Sequence, residues 1–182
     1  MLTSVRAAER ANALPPSETQ IDATLAGLRR LLEIVREQEQ SVAGLIGAWT
    51  NFVAEMRKYA DIQAAVDNVQ FGTSTIDGVS NSLLRPLQGA EHAIRVELDS
   101  LPTARTHAAL EAAEEIERTY STEISQREEG VKMAIERANE YIIAVTEQVK
   151  IDLAARKQAI ERQRQAELEL QHQQAAAEAE GK

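Results

Sequence analysis

The chain has 182 residues, no Cys, an aromatic content of 3% and a formal net charge of −9. These values exclude disulfides and thiolate metal sites and argue against duplex nucleic acid as a partner, since its binders present net basic faces. With so few aromatic residues, Ala, Leu, Ile and Val must supply most of the burial, which suits helix–helix seams better than an enzyme core.

Residues 1–14 carry Arg6 and Arg10 against Glu9 and no apolar run of the kind a secretory signal needs. They read as part of an extension over 1–16: a frayed or partner-bound segment, or a short organelle-targeting helix. Pro15-Pro16-Ser17 then punctuates the chain. Ser17 followed by Gln20 has capping-box spacing, which predicts a helix start.

From Ile21 to Met56 the apolar residues recur every three and four positions. One set is Ile21, Leu28, Val35, Val42, Trp49 and Met56. The other is Leu25, Leu32, Ile46 and Val53, interrupted by Glu39 and continued by Ala60. This heptad pattern predicts a long helix over about 18–70 whose seam lies against another helix. Gly44 and Gly47 fall inside it, and close approach of a neighbour or a kink would each explain them. Trp49, Phe52, Met56 and Tyr59 form the largest apolar concentration in the chain. They are candidates for a three-helix core or for a docking surface, where aromatic and Met anchors are enriched.

Phe71-Gly-Thr-Ser-Thr-Ile-Asp-Gly78 combines two glycines with a hydroxyl cluster and reads as a loop. It has no Lys, so it is not a P-loop. A second helix is expected over 79–101, with Pro86 in its first turn or at a bend. Ser100-Leu-Pro-Thr103 predicts the next break. A third helix over 104–170 has a seam that includes Leu110, Ala113, Ile116, Ile124, Val131, Ile135, Ile142, Val145 and Val149, with Leu153 and Ile160 in a shifted register. Residues 171–182, rich in Gln, Glu and Ala, form a low-complexity tail expected to be frayed or disordered. The expected fold is therefore all-α: an elongated antiparallel bundle or coiled coil of three helices, the last one long, occupying 17–170. The loop at 71–78 either reverses the chain or carries the second helix onward.

No constellation of residues suggests catalysis. His92, His107 and His172 are scattered. Glu169 and His172 form the only Glu-x-x-His unit, where a di-iron bundle needs two. The acidic stretch containing Glu111, Glu114, Glu115, Glu117, Glu123, Glu128 and Glu129 and the basic stretch Lys150, Arg156, Lys157, Arg162 and Arg164 read as solvated helix faces. The acidic stretch would otherwise dock a basic partner. The expected function is a non-enzymatic scaffold, without catalytic residues, cofactor or metal, that assembles through coiled-coil packing with copies of itself or other helical subunits. Val145, Val149 and Leu153 are the expected stripe for that association, since the third helix outlasts its partners. No run reaches the ~18–20 apolar residues of a membrane span, and an intracellular, cytoplasmic location is expected. The layout over about residues 18–165 also resembles that of BAR-type domains. That resemblance implies a peripheral membrane or membrane-curvature module, although the net charge of −9 disfavours anionic lipid.

Overall fold

In the computed structural model, which describes residues 14–180, the Ser17 hydroxyl accepts from the Gln20 backbone N–H at 3.2 Å. The Gln20 side chain in turn accepts from the Ser17 N–H at 3.0 Å. This closed capping box satisfies two of the orphan donors at the helix start. It opens α1 (Glu18–Met56), which is followed by a 3-10 turn (Arg57–Tyr59), α2 (Gln63–Val79), a π turn (Ser80–Leu84), α3 (Arg85–Ala104) and α4 (His107–Glu180). The π turn joins α2 to α3, so the described residues comprise three helices, the last one long, and no strand.

The chain divides into two compact units. The first combines the residues up to Gly47 with Ile76–Glu136; the second combines Ala48–Thr75 with the residues from Arg137 onward. Each is built up-down-up. In the first, Glu18 pairs with Arg105 and Arg36 with Glu91, so α3 runs antiparallel to α1. Gln38 reaches the Ile124 carbonyl, and Gly27 lies against Glu117, so α4 runs parallel to α1. The two heptad sets of α1 supply the core: Leu28, Val35 and Val42 are fully buried, together with Ile94 and Leu101 of α3, and Leu110, Ala113, Ile124 and Val131 close it from α4. Each fully buried Leu or Ile contributes about 1.5–3 kcal/mol relative to exposure. In the second unit Val53 of α1 faces Gly72 of α2, and Asn68 of α2 bonds Tyr141 of α4.

Several boundaries differ from those the sequence suggests. α1 ends at Met56, not near residue 70, and the chain reverses over 57–62, where the Ile62 N–H donates to the Tyr59 carbonyl at 2.9 Å. No Gly or Pro marks this turn. Met56 and Ile62 are buried on either side of it, so tertiary burial decides it against local propensity. The expected loop at 71–78 is helix. Its hydroxyls bond back along the helix, Thr73 to the Val69 carbonyl at 2.8 Å and Thr75 to that of Phe71 at 2.9 Å, the arrangement that makes Ser and Thr tolerable inside a helix.

Pro86 follows the π turn, in which the Arg85 N–H reaches back five residues to the Ser80 carbonyl. A wider turn of this kind relieves the clash of a proline ring with the carbonyl four residues before it. Pro102 sits in the last turn of α3, and the break falls at Arg105, which adopts a left-handed φ of 46° and donates its N–H to the Leu101 carbonyl at 3.1 Å. Thr106 then caps α4 by accepting from the Ala109 N–H at 3.2 Å.

α4 runs past the expected boundary at 170 to Glu180, and every residue over 154–179 is exposed. Ala, Gln, Glu and Arg are strong helix formers, which permits helix with nothing to bury. Residues 1–13, where most of the expected N-terminal extension lies, and 181–182 at the end of the tail fall outside the described residues.

Candidate functional site

Four of the six aromatic residues of the chain gather in the second unit. Trp49, on the α1 seam, is 5% exposed. Its ring centroid lies 5.7 Å from Phe52, 5.8 Å from Phe71 and 5.7 Å from Tyr141. The contacts to Phe52 and Phe71 are edge-on, a geometry the ring quadrupoles favour. Tyr141 donates its hydroxyl to Asn68 Oδ1 at 2.7 Å, and Asn68 donates to the Ala64 carbonyl at 2.7 Å. The polar end of the cluster is thereby satisfied by α2.

Gly72 makes this approach possible. A Cβ there would fall 2.6 Å from Val53 Cγ2, while one at Gly44 or Gly47 would meet nothing within 4 Å. The close-approach role that the sequence offered to the two α1 glycines thus belongs to Gly72, the residue that had suggested a loop. Phe71 and Tyr141 were not singled out from the sequence. Phe71 was hidden by the loop reading, and Tyr141 stands beside the α4 seam rather than on it.

The candidate docking residues separate on this geometry. Trp49, Phe52 and Met56 are buried inside the unit, as core. Tyr59 is half-buried and donates to Glu55 Oε1 at 2.9 Å, while Lys58 pairs with the other oxygen at 2.6 Å. These two bonds, that from Lys58 foremost, hold the Glu55 carboxyl below its ordinary value. Val149 is 0% exposed, and Val145 and Leu153 are half-buried. The stripe expected to protrude therefore packs within its own unit, because the reversal at 57–62 brings α2 alongside α4. What α4 leaves outside is a different set: Ile143 at 65% and Ile151 at 59% exposure, then Ile160, Leu168 and Leu170.

Comparison with protein-family models, curated proteins and solved structures finds no match. Among the described residues no helix is long and apolar enough to cross a membrane, and no group of three or more His, Asp or Glu could hold a metal ion. His107 bonds the Leu14 carbonyl at 2.5 Å.

In the first unit a groove of about 300 Å³ lies between α1 and α4, lined by Ile34, Glu37, Gln38, Ser41, Glu128, Val131, Lys132 and Ile135. Two of its three charged groups are spent on each other, Lys132 on Glu128 at 2.8 Å. Gln38 is anchored by its bond to the Ile124 carbonyl at 3.3 Å.

Nearby, the heptad interruption finds its explanation. Glu39 is half-buried beside Glu91 of α3, and its carboxyl is pushed up, first by burial and then by the Glu91 charge and a hydrogen bond with Glu91; Arg36 and Arg95 oppose this. Glu91 is held below its ordinary value, first by the hydrogen bond from Arg95 and then by that from Arg36. Because folding raises the proton affinity of Glu39, its contribution favours the folded state at low pH. That contribution is lost as pH rises through the raised value. Glu91 behaves oppositely, and its contribution is lost as pH falls through the depressed value. Glu39→Gln removes the first effect while keeping a donor for Glu91. The variant should therefore melt above wild type near neutral pH, with the gap closing toward the ordinary Glu value of 4.5. Melting curves whose separation is the same at every pH would show that Glu39 titrates normally.

Proposed function

We propose that this chain is a non-enzymatic helical scaffold that assembles with copies of itself or with other helical chains by packing helix against helix. The observation that carries the reading is the row of large apolar side chains that α4 leaves outside both cores, led by Ile143 and Ile151. Isolated surface apolar residues are ordinary; Ile143 and Ile151, the two most exposed of this set, lie on the same side of α4, eight residues apart, and support a contact surface there. The experiment is sedimentation velocity on the whole chain and on Ile143→Glu/Ile151→Glu. Both positions are exposed, so the substitutions leave folding intact. The wild-type chain should sediment above its 20.0 kDa monomer mass and the variant nearer to it. A monomer at every concentration, identical in the two, removes self-assembly.

A second reading, a peripheral membrane module, draws on Lys157, Arg162 and Arg164, which are exposed beside Ile160. Anionic lipid attracts such groups, but Glu167 and Glu169 follow on the same helix. Co-sedimentation with anionic vesicles separates this reading from the first.

A further inference from the structure

The last part of α4 is a helix that buries nothing: over 154–179 every residue is exposed. Its charge is divided. Arg156, Lys157, Arg162 and Arg164 against Glu161 make residues 154–164 net +3, and Glu167, Glu169 and Glu178 make 165–179 net −3. Arg156 lies against Asp61, and Glu161 accepts from Gln165 at 3.4 Å. Lys157, Arg162, Arg164, Glu167 and Glu169 have no ion-pair partner among the described residues.

One face sharpens the division. Lys157, Ile160, Arg164, Glu167, Gln171, Gln174 and Glu178 follow one another at spacings of three and four, which puts them along a single stripe of the helix. The stripe is basic in its first half and acidic in its second, with Ile160 in it and Leu168 at its margin.

We propose that this stripe binds the same stripe of a second copy, antiparallel, about a two-fold axis between Gln165 and Ala166. The inference rests on the assembly reading and names its partner and geometry. An antiparallel pair lays the basic half of each copy on the acidic half of the other, with Arg164 opposite Glu167 twice, at the centre. A two-fold interface of this kind is self-complementary, as the symmetry requires. A parallel pair stacks like charge on like along its whole length and is disfavoured. Exposed ion pairs are worth little individually, and the apolar component is small. The association is therefore weak, specific in orientation and sensitive to salt.

The test uses the full chain in three forms: wild type, Lys157→Glu/Arg164→Glu, and Glu167→Lys/Glu178→Lys. All four positions are exposed, and Lys, Arg and Glu have similar helix propensities, so circular dichroism should be unchanged. In sedimentation equilibrium the wild type should self-associate and lose about tenfold or more in affinity on going from low to ~1 M salt. Each variant alone should self-associate far more weakly, and a one-to-one mixture of the two should recover a heterodimer. Variants that associate like wild type, or a mixture that fails to recover association, overturn the arm pairing. If Ile143→Glu/Ile151→Glu alone dissociates the wild-type assembly, the scaffold reading survives that failure. A wild-type chain that stays monomeric overturns the arm pairing and removes self-assembly, leaving only assembly with other helical chains.

Discussion

Trp49→Ala should destabilise the second unit by about 3–5 kcal/mol, the range for deleting a large buried aromatic side chain. The indole touches Phe52, Phe71 and Tyr141, and so ties α1 to α2 and α4 at once. Its removal opens a cavity that rings held at three sides cannot collapse to fill. Leu168→Ala, at a position 48% exposed, should change stability little. Hydrogen exchange measures the contrast: amides of α2 and of α4 beyond Arg137 should lose protection in the first variant and keep it in the second. Equal effects would mean that the aromatic cluster is not the core of that unit.

Gly72→Leu should be the other severe lesion. Gly in a helix interior costs ~1 kcal/mol relative to Ala, so propensity alone predicts that any larger residue stabilises. The packing predicts the reverse. The first added carbon would already fall 2.6 Å from Val53 Cγ2, with a Phe52 ring carbon at 3.5 Å and a Trp49 ring carbon at 3.7 Å. Valine is short and branched and cannot swing aside. Overpacking of this kind costs about 1–3 kcal/mol or more, which outweighs the propensity gain. Thermal denaturation of Gly72→Leu, of Val53→Ala and of the double variant forms a cycle. The double variant should be less destabilised than the sum of the two single ones. A Gly72→Leu chain as stable as wild type would show that α2 stands further from α1 than described.

The elements whose apolar pattern does its own work were readable from the sequence. The α1 seam, the capping box at Ser17 and the buried positions Leu110, Ala113, Ile124 and Val131 all follow from period and cap chemistry. The connections were not. At 71–78 the composition of a loop belongs to a helix whose glycine is needed for contact and whose hydroxyls bond inward. At 57–62 the turn has no breaker residue and is decided by the burial of Met56 and Ile62. That one displaced turn also explains the site residues. It supplies α2 as a partner for α4, which draws Val149 inside and leaves Ile143 and Ile151 out. Which apolar positions of a long helix are free depends on where its neighbours end, and periodicity carries no information about that.

The placement of the rings gives the protein a built-in optical division. Its one tryptophan lies in the second unit, while the first holds only Tyr120 among the aromatic residues. Indole emission therefore reports the melting of one half of the chain, and far-ultraviolet ellipticity reports the helices of both. Superimposable transitions from the two signals would mean that the halves unfold together; separated midpoints would measure how independently each half stands.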